Sequence, residues 1–232
     1  MTPCWVANQM SERSATSAHD QEPALSGLIA HGALDAELGA LLWLLAEHGL
    51  PLVVASTAPR AAEGLRGAVA VMLPAERRSS DGPLAGGALV GRSLEDVLRL
   101  TGGGLEGDVS DDARDLGIVV VADDLGRVTA AHYVRPVERD GAGHLQRRPP
   151  GLLSARDPDS GRLDHFHWGI TDELAMRAGL ERDEFEDAHA SRARLLSELA
   201  AAGVHDRRSA RRHVEAASLA AADPPDLPDT RH

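Results

Sequence analysis

Residues 34–56 read LDAELGALLWLLAEHGLPLVVAS, and this stretch decides the fold class. Asp35 and Glu37 open it, where carboxylates suit the positive end of a helix dipole. Leu38, Leu41, Leu42 and Leu45 then recur at helical spacing, and Gly49 closes the element. After Pro51, Leu52-Val53-Val54-Ala55 is a short, continuous apolar run of the kind that forms a strand buried on both faces. A helix feeding a buried strand, followed by a further helical pattern over Ala61–Leu73, predicts an α/β layer. Trp43 belongs to the apolar side of the first helix and reads as core.

Working outward, Ser93 caps a helix that runs to Leu100, with Glu95 and Asp96 in its first turn. Gly102-Gly103-Gly104 breaks it and reads as a linker, since it follows a helix and not a strand. The second half changes character. Ile118–Val121 and Val128–Val134 flank Asp123-Asp124-Leu125-Gly126, a β-hairpin signal. Leu152–Arg156 and Arg162–Trp168 flank Asp157-Pro158-Asp159-Ser160-Gly161, a second hairpin. From Thr171 the pattern is helical over 172–178, 182–202 and 206–221. The expected organisation is a loose N-terminal segment over 1–26 and an α/β layer over 27–105. β-Hairpins and a helical C-terminal segment follow over 116–221, with a flexible tail over 222–232.

Composition excludes several chemistries. The chain has 232 residues, 36 acidic and 24 basic groups, and no lysine, so every basic group is arginine. Schiff-base catalysis and a P-loop lysine are impossible without an ε-ammonium. A formal charge of −12 disfavours nucleic-acid partners. Cys4 is the one cysteine, which forbids an intrachain disulfide and reads as an inert thiol. Residues 1–10 lack the pattern of a signal peptide. The longest apolar stretch, near Leu38–Val54, is interrupted before the ~20 residues of a membrane span. A cytoplasmic protein is expected.

Two stretches resemble the ATPases of type II/type IV secretion, in particular the archaeal pilus and archaellum motor branch. The first is Ala33–Leu73, with its Leu-rich helix, apolar strand and following helix. The second is Gly151 to about Ala217, with ARDPDSGRLDHFHWG and then ERDEFEDAHASRARLLSELAAAGVHDRRSARRHVE. The resemblance implies a P-loop NTPase-like layer that is truncated, because the segment between the two stretches is short for the family. It also implies that Ser56-Thr57-Ala58-Pro59-Arg60-Ala61-Ala62-Glu63 stands where the phosphate loop belongs. Ala62 then occupies the lysine position and Glu63 the magnesium-hydroxyl position. No glycine is present, and Pro59 removes an amide donor. Arg60 is a partial cationic substitute.

The expected function is therefore that of a non-hydrolysing secretion-ATPase-like protein, a regulatory or scaffolding partner of a secretion or pilus motor. Its partner would be that motor or a second copy of the chain, since family members assemble as rings. No cofactor, nucleic acid or membrane span is expected.

Two alternatives come from other classes. One is nucleotide binding without turnover. The other is a metal-binding protein or enzyme using His165 and His167, which flank Phe166 and would share one strand face, with His132 or His144 and an Asp. A solvent-facing histidine pair is the plainer reading, because no third ligand lies at compact spacing. Asp123-Asp124 as a magnesium-binding strand end gives way to a hairpin turn. Arg207, Arg208, Arg211 and Arg212, as a contact for an acidic partner or a membrane surface, give way to a solvated helix face. No Gly-x-Ser-x-Gly elbow or dinucleotide fingerprint occurs.

Overall fold

Asp35 starts the central helix, its carboxylate accepting the Leu38 N–H at 2.9 Å and so satisfying one of the free donors of the first turn. In the computed structural model, which describes residues 22–78, 84, 87–101, 115–139, 141, 144–146 and 148–222, this helix, α2, spans Ala36–Glu47. Every residue from Leu38 to Ala46 is buried. An apolar stripe alone would not need that, but α2 is enclosed on several sides. It packs against α1 (Leu25–Ala30), α3 (Pro59–Met72) and α6 (Arg182–Ala201), and its leucines share one core with a sheet face. Each fully buried leucine contributes about 1.5–3 kcal/mol of transfer free energy, so α2 is the anchor of the fold.

The sheet is mixed and six-stranded. Its strands are β1 (Leu52–Ser56), β2 (Ala88–Leu89), β3 (Gly117–Ala122), β4 (Val128–Val134), β7 (Gly151–Arg156) and β8 (Leu163–His165), in the spatial order β2-β1-β3-β4-β7-β8. β1 runs parallel to both β2 and β3, and the remaining pairs are antiparallel, β3–β4 and β7–β8 as hairpins and β4–β7 across the intervening β5–β6 segment. A separate ribbon pairs β5 (Glu138–Arg139) with β6 (Leu145–Gln146). Leu52, Val54, Ile118, Val120, Ala131 and Tyr133 face α2 and α3, whereas Val53, Ala55, Val119 and Val121 face Val97 of α4 (Leu94–Leu100). Covered on both faces, β1 and β3 carry uninterrupted apolar runs. Both hairpin turns form as expected. Asp123 accepts the N–H groups of Leu125 and Arg127, and Asp157 accepts those of Asp159 and Ser160. Gly126, at φ 80°, supplies the left-handed position of the first turn.

The mixed α/β class is observed, and the sheet joins the 27–105 and 116–221 regions through the β1–β3 pairing. Two corrections concern the ends of elements. Residues 22–26 are not loose. Ala24 to Ser26 are buried, α1 begins at Leu25, and the Ala24 N–H donates to His205 O at 2.8 Å. His167 is not a strand residue, because β8 ends at His165 and a 3-10 turn spans His167–Ile170, leading into α5 (Thr171–Ala178). The readings of residues 1–21 with Cys4, of the linker at 102–104 and of the tail from 223 lie outside the described residues. No helix among the described residues is long and apolar enough to cross a membrane.

Candidate metal centre

The segment aligned with a phosphate loop forms no cradle. β1 ends at Ser56 and α3 starts at Pro59, so only Thr57 and Ala58 connect them. Ser56 is buried, its hydroxyl donating to Asp123 O at 2.9 Å and accepting the Ala58 N–H at 3.1 Å. Thr57 is exposed. Ala62 is fully buried in the core, and Glu63 is paired with Arg66 at 2.7 Å. Arg60 is exposed beside a cavity of about 490 Å³ that Glu22, Glu63 and Arg127 also border. That lining mixes charges and presents no run of free amides.

A different group converges at the far edge of the sheet. The hairpin register puts His165 opposite Ser154 and Ser154 opposite Ala131, so all three point toward the α2 side. There His165 meets the start of α2. Its Nε2 lies 2.9 Å from Asp35 Oδ2 and 3.7 Å from Glu37 Oε2. His167, two residues on, turns inward through the 3-10 turn and is fully buried. Donor atoms of Glu37, His165 and His167 all lie within 4.8 Å of one another. α6 adds His189, whose Nε2 hydrogen-bonds Glu37 O at 2.9 Å and whose ring centroid is 5.2 Å from that of His167. Trp168 stacks obliquely on His167, 4.1 Å between centroids.

The expected solvent-facing histidine pair is thus corrected, since His167 is fully buried beside His189 of α6 and His165 is largely covered by the start of α2. The expected companions are corrected too. His132 is paired opposite Val119 and faces the other side of the sheet, and His144 lies outside the cluster. The third candidate ligand is Glu37, 128 positions before His165 in sequence. The one signal for it in the sequence is a second carboxylate beside the Asp35 cap, a placement that the helix dipole alone accounts for. Asp123 belongs to its hairpin turn, paired with Arg127 at 2.8 Å.

The electrostatics separate the two rings. Burial pulls His165 down, but the hydrogen bond and charge of Asp35, with Glu37 and Asp164 behind, leave it above its ordinary value. Burial likewise raises Asp35, yet the His165 bond and the Leu38 N–H outweigh it and hold the carboxyl below the usual range. His167 has no such partner. Burial first, then the neighbouring His189 and His165, push it down to about 4. Both nitrogens of His167, and Nδ1 of His165, are buried without a hydrogen-bond partner among the described residues.

Chemically, the group offers two imidazole rings, His167 held neutral and His165 with its affinity for a proton raised, and one carboxylate oxygen. A tetrahedral zinc at about 2.0–2.2 Å from its ligands holds them roughly 3.3–3.6 Å apart, so donors within 4.8 Å of one another need to close by at most about 1.5 Å. With Nδ1 of His165 as the ligand atom, Asp35 on Nε2 would fix that ring's orientation as outer-shell carboxylates do in metal sites. No protein-family model matches the chain, and no curated protein matches it either.

Proposed function

We propose that this chain is a metal-binding protein that holds a divalent transition ion, zinc by preference, through His165, His167 and Glu37. The observation that carries the reading is His167, fully buried with neither ring nitrogen partnered among the described residues. Leaving a buried polar atom unpaired costs about 1–3 kcal/mol, and a metal ion is the partner a lone-pair nitrogen accepts most strongly. Two imidazoles and a carboxylate suit zinc and leave a coordination position open, as in catalytic and ligand-binding zinc sites. Asp35 raises the affinity of His165 for a proton, and metal at Nδ1 must displace the second proton of the charged ring while Nε2–H stays with Asp35, so binding releases protons and strengthens as pH rises. Zinc titrated into EDTA-stripped protein, followed by calorimetry, is expected to saturate at one ion per chain. His167→Ala should weaken it about a hundredfold, the upper end of the loss seen on removing even an outer-shell partner. His132→Ala should leave it unchanged. No saturable zinc binding, or binding indifferent to His167, would overturn the reading.

A second reading is a non-hydrolysing relative of the secretion ATPases that acts by contact with a motor homologue or with its own copies. The two-residue β1–α3 connection and the buried Ala62 support its catalytic silence. A P-loop needs several wrapped amides and a lysine to hold a triphosphate. A fluorescent ATP analogue is accordingly expected to show no saturable binding at millimolar concentration. Magnesium-dependent phosphate release that disappears on changing Arg60 would refute it.

A further inference from the structure

The outer side of the His165 cluster opens into a cavity of about 420 Å³, bordered by Asp35, Glu37, His165, Arg156 and Arg162. Its size falls in the range of small-ligand sites. His167 lies on the buried side and Glu37 and His165 on the cavity wall, so an ion bound between them presents its open position to the cavity.

Charge decides what enters. Arg156 spends its guanidinium on backbone: Nε donates to Val128 O at 2.7 Å, one terminal nitrogen to Gly161 O and the other to Gly32 O and Ala33 O. Those bonds fix the β7–β8 hairpin to the turn before α2. They leave its positive charge without a carboxylate at ion-pair distance among the described residues. Arg162, on the last residue before β8, is exposed and makes no side-chain hydrogen bond or ion pair among the described residues. The two arginines offset Asp35 and Glu37, so the charge of a bound divalent ion remains for a ligand to meet. A neutral ligand would leave it unmatched, and a cation would be repelled.

We infer that this cavity is the binding site for a small oxyanion, a carboxylate or phosphate group, that completes the metal's coordination through one oxygen and bonds Arg162 through another. The inference rests on the metal reading and adds the ligand class. A guanidinium suits the task because its planar fork bonds two oxygens of a carboxylate or phosphate at once. Arg162 is thus the recognition group, and Arg156 sets the wall and the field.

Calorimetry with oxalate and with inorganic phosphate, on zinc-loaded and zinc-free protein, tests this. At least one of the two probes should bind the zinc-loaded chain at one site and bind the zinc-free chain far more weakly. Which of them binds tells a dicarboxylate site from a phosphate site. Arg162→Gln should weaken that probe by about tenfold or more, the loss of a charge-assisted hydrogen bond, while zinc affinity stays unchanged. If zinc binds but neither anion does, or if Arg162→Gln binds them as tightly as the parent chain, the oxyanion site is overturned and the metal site stands. If zinc itself fails to bind, both fall together.

Discussion

Arg207→Leu is expected to lower the unfolding free energy by about 2–4 kcal/mol, read as a fall in the urea midpoint at unchanged slope. Arg207 begins α7 (Arg207–Ala222) and is the one arginine buried among the described residues, 2% exposed. Its Nε donates to Pro23 O at 3.3 Å, a terminal nitrogen to Gly64 O at 2.9 Å, and the other pairs with Glu22 at 2.5 Å. One side chain therefore ties the start of the described chain and the middle of α3 to α7. Removing it takes the buried guanidinium donor away from the Pro23 and Gly64 carbonyls and the charge partner away from Glu22. Leucine keeps much of the volume, which separates the polar loss from a cavity effect.

Gly67 supplies the independent check. A Cβ there would press into the Arg207 guanidinium, so Gly67→Ala should also destabilise although the arginine is intact. In an exposed helix the same change stabilises, because alanine is the better helix former. A Gly67→Ala variant more stable than the parent would refute this account. Adding the two changes should cost less than the sum of the single losses, since they share one contact.

This same arginine shows where the sequence stops being informative. With Arg208, Arg211 and Arg212 it reads as one stretch of a basic helix, and nothing local says that Gly67, 140 positions earlier, leaves room for its head group. Elements whose cause is local were legible. Leu34–Ser56 gave both the buried helix and the buried strand, because continuous burial writes itself as a continuous apolar run. Asp123–Gly126 and Asp157–Gly161 gave the hairpins, because the turn chemistry lies within five residues. α1 was missed, since its burial depends on the α6–α7 connection, where Ser26 Oγ donates to Val204 O at 2.5 Å. For the candidate site, the two histidines were visible and their setting was not. His165 and His167 are spaced like strand neighbours, and only the packing of α2 and α6 turns the pair inward onto Glu37.

The metal-free chain should lose about 3 kcal/mol of stability through His167 alone as pH falls from about 6.5 to about 4. The ring has its ordinary value when unfolded and about 4 when folded, so between those values the unfolded chain takes up a proton that the folded chain refuses. The group's contribution is therefore complete above its unfolded value and is lost as pH drops through the folded one. Two neighbours must be kept apart from it. Asp35, lowered, contributes stability above its unfolded value and loses it in more acid solution, whereas His165, raised, contributes at low pH and loses it as pH rises past its folded value. Both remain in His167→Gln, as does His189 facing the ring, so the difference between parent and variant isolates one group. Urea midpoints measured in EDTA across this range should fall more steeply for the parent than for His167→Gln. Parallel curves would mean that burial does not hold the ring neutral. With zinc present the parent's curve should steepen again, because the ion stabilises the folded chain by mass action only where the imidazoles are free of protons. The variant should gain little. A neutral histidine that merely fills space would show the first effect and not the second, and that difference separates a packing residue from a ligand.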